Sequence, residues 1–514
     1  MTIALTGGHV VDGTGAAPIA ATVLIDGELI VAVLPPGDAP SGAEVIDATG
    51  NIVAPGFIDL HSHADFSLQS TPDASTQLHQ GVTTLVAGNC GWSPFPITDL
   101  EALRAGTAFL GSRHDWSWRD LTGFASTLEP AVNLALQVGH CTLRLAVMGS
   151  AERAPSSDEL RQMQDLLRIA ADQGAVGFST GLIYAPGAYA EAEEVAALVA
   201  TAAECGLLYS THIRNEGAGL LTALDEAMAA ARAGGARLEV SHLKAVGAPN
   251  YGLVTAALER LDQARADGLD VTWDVYPYTA SSTTLTARLP IWALAGGTLL
   301  DRLADPTERR RIAEALRSDT LLNPDAVVIA SLPPGRYEDC RGLSLAAIAE
   351  RDDVDAAEAV LRVLEHHQGA VSIINHAMSE DDVTTVLQHP CTSVASDGWI
   401  LDAAGDGHPH PRNFGTFPRV VGRYTRELGV LTLPEAIRRM TSLPASRLGF
   451  TDRGVIKPGA VADLVVLDPD RIADKSTYDD PWQLSVGVEH LLVAGQPVLA
   501  DGIPTGRRPG RVLT

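Results

Sequence analysis

Lysine is almost missing from this chain. Only Lys244, Lys457 and Lys475 occur, and arginine carries the rest of the basic charge. Any mechanism that needs a lysine amine upstream of position 244 is thereby excluded. Positive charge is short overall, since 37 Lys and Arg stand against 63 Asp and Glu, a formal net charge of −26. That balance argues against nucleic acid and anionic membrane surfaces as partners, because both select basic patches. Cysteine is sparse as well. Cys90, Cys141, Cys205, Cys340 and Cys391 are scattered and odd in number, so no disulfide framework is expected. No window nears the ~18 uninterrupted apolar residues of a membrane-spanning helix. The opening Met1-Thr2-Ile3-Ala4 lacks a charged leader and runs straight into strand-like alternation. A soluble, cytoplasmic protein without a targeting segment is expected.

Apolar residues make up 46% of the 514, enough for a large core in two to four domains or one large barrel with additions. The first fifty or so residues alternate apolar and polar between Asp-Gly turns, as at Asp12-Gly13 and Asp26-Gly27. Residues 462–468 and 486–495 read alike, so both ends are expected to meet in one small β-sandwich domain of 1–53 and 446–514. Between them, over 54–445, strands alternate with amphipathic helices. Ser156-Ser157-Asp158-Glu159 opens one helix as a capping box, and Glu191–Cys205, Gly219–Ala233 and Val254–Ala266 form others. The strands between them include 207–213, 237–242 and 270–276, with later ones at 370–375 and 392–396. Such alternation favours a parallel sheet. The region near 290–350 fits the pattern poorly and reads as an insertion over the mouth.

Polar residues of one chemical kind stand at the ends of several strands. The run Gly56-Phe57-Ile58-Asp59-Leu60-His61-Ser62-His63 closes on two histidines that a strand would point to one face. Cys90 follows Thr83–Asn89, and His212, His242 and Asp397 end three further strands. Cysteine, histidine and carboxylate are the ligand set for zinc. Their spread over different strand ends fits a (β/α)8 barrel, whose sites are built from the loops at the C-terminal face. An open doubly wound sheet would instead need a glycine-rich phosphate loop, and none occurs.

With these residues in view the chain resembles the N-acyl-D-amino-acid deacylase (D-aminoacylase) family of the amidohydrolase superfamily. The resemblance rests on Pro55–His63, Gly81–Thr84, Gly88-Asn89-Cys90-Gly91, Gly177–Tyr184, His212-Ile213-Arg214-Asn215-Glu216, Ser241–Ala245, Ser396-Asp397-Gly398, His410-Pro411-Arg412 and Gly454–Asp463. It implies a zinc-dependent hydrolase that cleaves N-acyl-D-amino acids to a carboxylate and a free D-amino acid. It implies a tight zinc site of Cys90, His212 and His242, and a second, weaker site of His61 and His63 with Cys90 and Asp397. Asp397 would be the general base. Most binuclear relatives bridge their metals with a carboxylated lysine. No lysine precedes His242 here, so the Cys90 thiolate is the natural replacement.

Lys244 lies two residues past His242 and would share its inward face. A lysine there needs an anionic partner, which a substrate carboxylate would supply. The resemblance gathers Lys244, Tyr276, Ser282 and Arg412 around that carboxylate. The resemblance would let Arg288 meet an acidic substrate side chain, though it reads better as a surface residue, and His140 and Arg144 fit a family pattern without an assigned role. Two other classes stay open at this level: hydrolysis of cyclic amides (hydantoinase or dihydroorotase type) or of dipeptides ending in a D-residue, and a non-catalytic scaffold. The missing carboxylated lysine counts against the cyclic-amide reading, and the intact ligand set against the scaffold. The sequence sets no oligomeric state.

Overall fold

A computed structural model describes residues 2–110, 114–319 and 322–514. Its centre is a ring of eight strands: β1 (Phe57–Asp59), β2 (Val82–Ala87), β3 (Asn133–Gly139), β4 (Gly177–Gly181), β5 (Leu208–His212), β6 (Leu238–Val240), β7 (Val271–Val275) and β8 (Thr392–Val394). Neighbours in this order pair in parallel. The ring closes between β1 and β8 at its C-terminal end, where the Asp397 N–H donates to His61 carbonyl and the His63 N–H to Gly398 carbonyl, each at 2.8 Å. All residues of these strands are buried, because helices cover the outside and side chains fill the middle.

The helices form where the apolar spacing places them. Ser157–Asp172 starts with the reciprocal capping box of Ser156 and Glu159, while Leu220–Gly234 stops at Gly235, whose φ of +70° suits glycine. The strand at Ser372–Asn375 differs from expectation. Alternation places it in the ring, yet it pairs antiparallel with Ser281–Thr284 and with Val327–Ser331 in a separate three-stranded sheet. Strand period and length do not reveal a partner. This sheet carries its own apolar cluster running from Leu285 to Ile373.

Strands from the two ends of the sequence interleave. Ile52–Pro55 pairs with Leu464–Leu467, which in turn pairs with Val488–Val493. A four-stranded sheet from Thr2 to Asp47 packs on this one through Leu5, Val23, Val466 and Leu492. Val512–Leu513 adds a short parallel strand to the base of β3, opposite Leu134 and Ala135. The joint between the end sheets and the ring is polar. Buried Asp463 accepts from Arg453 at 2.6 Å, from the Asn133 side-chain amide at 3.1 Å and from the Ala494 N–H at 2.7 Å.

Asp463→Ala would leave the buried Arg453 with only the half-exposed Asp452, 3.3 Å away, as its anion, and breaking a buried pair costs up to about 3–5 kcal/mol. Urea unfolding followed by fluorescence should show that loss. A change under about 1 kcal/mol would mean that Asp452 alone satisfies Arg453.

Candidate metal centre and active site

At the C-terminal mouth of the ring, six buried side chains converge. Donor atoms of Cys90, His212 and His242 lie within 4.8 Å of one another, as do those of His61, His63, Cys90 and Asp397. The Cys90 Sγ is the shared member. It stands 3.3 Å from His61 Nε2, 3.7 Å from His212 Nδ1 and 3.6 Å from His242 Nε2. Asp397 Oδ1 lies 3.1 Å from His63 Nε2 and 3.4 Å from His61 Nε2. Three of the six adopt left-handed backbone: Cys90 at φ +54°, His242 at +37° and Asp397 at +50°. Such conformations cost of order 1–3 kcal/mol each and persist only where the surroundings impose them. Here they turn strand-end side chains inward.

The electrostatics of the cluster call for positive charge at its centre. Burial alone would raise the Cys90 thiol, yet His61, His212 and His242 pull it well below its ordinary value. Burial would likewise raise Asp397, but Arg412, His61 and His63 hold it far below the usual carboxylate range. Against the effect of burial, Cys90, Asp274 and Asp397 push His61 well up. His63, bonded to Asp397 and beside Cys90, rises to about 9. A divalent cation answers that demand, and thiolate with imidazole and carboxylate is zinc chemistry. The residues present fit the ion.

A second layer of carboxylates, absent from the sequence reading, orients these groups. Asp274 on β7 puts Oδ2 3.3 Å from His61 Nδ1 and accepts the His242 N–H at 2.8 Å. Glu216 Oε1 lies 3.1 Å from His242 Nδ1 and 2.5 Å from Lys244 Nζ. Asp59 accepts the backbone N–H groups of Ser396 and His61, at 2.9 and 3.3 Å. Glu216 stands four residues past His212, a spacing that hinted at proximity. Asp274 had no such signal, since it reaches His61 only through barrel closure.

Lys244, Tyr276 and Ser282 line the same cavity as His63, Cys90, His212, His242 and Asp397. Lys244 already has an anionic partner in Glu216, where the sequence supplied only a substrate carboxylate. Arg412 is fully buried behind the cavity, and its Nη1 donates to Asp397 Oδ2 at 2.7 Å. Its guanidinium stacks over the Tyr276 ring at 4.9 Å. Arg288 is mostly covered and pairs with Asp319 at 3.1 Å. His140 and Arg144 share one buried carboxylate, Glu194, at 2.8 and 2.5 Å, and line no part of the cavity.

Residues 44–499 match the model of the Amidohydrolase family. The chain is 40% identical to N-acyl-D-glutamate deacylase of Alcaligenes xylosoxydans xylosoxydans, over 99% of this chain and 96% of that protein. It belongs to the amidohydrolase family. D-aminoacylase of the same organism is 34% identical, over 99% of this chain and 96% of that protein. A solved structure of N-acyl-D-glutamate deacylase from Bordetella bronchiseptica, complexed with zinc and a phosphonate mimic of the tetrahedral intermediate, superposes with TM-score 0.85. It shares 39% identity, with 99% of each chain covered. Within the amidohydrolase family the chain thus stands with the N-acyl-D-amino-acid deacylases. No helix among the described residues is long and apolar enough to cross a membrane.

Purified enzyme should carry about one tightly held zinc, as three protein ligands with an open position provide. Cys90→Ala should lose it, read as zinc content after gel filtration. Asp274→Asn should weaken zinc by about 10–100-fold, the usual effect of losing a carboxylate that orients a ligand histidine. Full zinc retention in Cys90→Ala would contradict the assignment.

Proposed function

We propose that this chain is a zinc-dependent, cytoplasmic amidohydrolase that cleaves N-acyl-D-amino acids to a carboxylate and a free D-amino acid. The supporting observation is the Cys90-centred cluster at the mouth, with Asp397 inside it. Residues 54–445 would form the catalytic barrel, and 1–53 with 446–514 one small β-domain. Cys90, His212 and His242 would hold the tight ion; His61 and His63, with Cys90 and Asp397, a weaker one. When bound, zinc supplies Lewis acidity, polarising an amide carbonyl and lowering the pKa of water.

The remaining chemistry falls to the chain itself. Asp397 takes a proton from the attacking water and delivers it to the amine nitrogen as the C–N bond breaks. The water oxygen ends in the new carboxylate and the proton on the free D-amino acid. Arg412 keeps Asp397 ionised and aimed, with Oδ2 fixed and Oδ1 turned toward the histidines. A carboxylate held this low is a weak base, which would suffice for a water that bound zinc acidifies.

The substrate α-carboxylate is assigned to Lys244, Tyr276 and Ser282, with Arg412 behind Tyr276. Lys244 is a donor with several hydrogens, so it can keep Glu216 and still meet a second anion. Arg412 then serves two masters, Asp397 and the carboxylate.

The reading is tested by zinc-loaded enzyme on matched N-acetyl-D- and N-acetyl-L-amino acids. Turnover of the L series alone would overturn the stereochemistry, and turnover of hydantoins in preference to both would overturn the linear-amide reading. Asp397→Asn should keep zinc and lose kcat by about 10³ or more. Arg412→Met should raise KM and also lower kcat, together by about 1.5–3 kcal/mol, because it strips a charged hydrogen bond from the base. A pure KM effect would show that Arg412 serves only the substrate.

A further inference from the structure

We propose that Arg214, anchored by Glu226, is a positioning residue for the tight zinc site: it clamps the loop that follows β4 and so holds Tyr184 against the ring of His212. The proposal rests on the zinc reading above and extends it to two residues that line no part of the cavity.

The two histidines of that site are held differently. His242 Nδ1 lies 3.1 Å from Glu216 Oε1. His212 Nε2 is buried without a hydrogen-bond partner among the described residues, and Glu216 Oε1 stays 3.7 Å away. A ligand histidine usually has its second ring nitrogen fixed by a carboxylate, a carbonyl or water, which sets the tautomer and the ring angle. For His212, ring packing takes that part. The Tyr184 ring meets it edge-on with centroids 5.2 Å apart, and the His242 ring does so at 4.3 Å. Edge-to-face contacts of this kind are directional.

Tyr184 stands on the loop 182–191, between β4 and the helix Ala192–Glu204, and lines the cavity. The regular structure of this loop is one 3-10 turn, Gly187–Tyr189. Such a segment keeps its side chains in place through bonds to its neighbours. Arg214, two residues past His212, supplies two of them. Its Nη1 and Nη2 donate to the carbonyls of Ala188 and Ala190, at 3.0 and 2.9 Å. The Ala188 N–H donates in turn to the Tyr184 carbonyl at 2.8 Å. Behind the guanidinium, Glu226 on the helix Leu220–Gly234 accepts from Nε at 2.9 Å and from Nη2 at 2.8 Å. Only a planar fork of donors can meet one carboxylate and two carbonyls together. At the far end of Tyr184, the hydroxyl lies 3.0 Å from Thr283 Oγ1 and the ring stacks on Phe109 at 6.3 Å. The ring is thus fixed from both sides. The Arg214 and Glu226 side chains are 32% and 22% exposed, so the pair adds little to global stability and its effect is local.

The test measures zinc affinity by chelator competition in the parent, in Arg214→Gln, Arg214→Lys, Glu226→Gln and Tyr184→Ala, and in the double variant Arg214→Gln/Tyr184→Ala. Tyr184→Ala should weaken zinc by about two- to tenfold, the size of an edge-to-face ring contact. Arg214→Gln and Arg214→Lys should each approach that loss, because one ammonium cannot span two carbonyls and a carboxylate. Glu226→Gln, which leaves the end of β5 untouched, should weaken zinc in the same direction. The double variant should bind zinc no more weakly than Tyr184→Ala alone, a coupling that a residue merely stabilising the fold would not show. Additive losses in the double variant overturn the proposal, as does parent-like affinity in Arg214→Gln or in Tyr184→Ala. Should Arg214→Gln fail to fold, Glu226→Gln with Tyr184→Ala completes the same cycle and is read in the same way. A parent that holds no zinc removes the metal reading itself, and the proposal with it.

Discussion

Buried charge is the constraint on which this site depends. Cys90, Asp397, Asp274 and Glu216 crowd four histidines, Lys244 and Arg412 in a largely buried space at the mouth. Each anion there loses hydration that only a close cation or donor replaces. Two protein cations neutralise the outer members, Lys244 at Glu216 and Arg412 at Asp397. The centre, around the Cys90 sulfur, is left to imidazoles and to a metal. Ligand choice follows from this arithmetic. A thiolate shared by both halves of the cluster carries a charge that a carboxylated lysine cannot contribute in a chain without lysine upstream of Lys244.

Aim is bought with backbone strain at a few positions rather than with long side chains. The left-handed residues Cys90, His242 and Asp397 come from β2, β6 and β8, so the departures from regular strand fall where regular strand would point side chains along the ring. Supporting bonds come from residues at the seam that closes the barrel, the Asp397 N–H on the His61 carbonyl and the Ser396 N–H on Asp59, and from Asp274 between neighbouring strands, which accepts the His242 N–H. Closing the ring and bringing these donor groups together use the same bonds. A defect at the β1–β8 seam should therefore disturb both.

The six ligand-type residues were legible because each ends a strand whose apolar pattern is plain, and because their types agree. The capping box at Ser156 and the stop at Gly235 were legible for the same local reasons. Asp274 was not, since what makes it matter is distance across a closed barrel, and Glu216 was hinted at only by its spacing from His212. Arg412 shows the limit of a transferred role. Its sequence context places it near the substrate, but only the fold reveals that its nearest anion is Asp397. Ser372–Asn375 misled for a related reason, as alternation measures period while pairing is a tertiary choice.

The short strand at Val512–Leu513 carries a consequence for synthesis. It sits on β3 beside Leu134, nearly four hundred positions earlier in the chain. Ile52–Pro55 waits in the same way for Leu464–Leu467. A ribosome releases residues in order, at roughly 5–20 per second, so the base of the barrel stays unsealed until Val512 and Leu513 have emerged. Early strands must idle as a partly ordered sheet with open edges. For this chain, completion of the barrel base waits on residues nearly four hundred positions past β3.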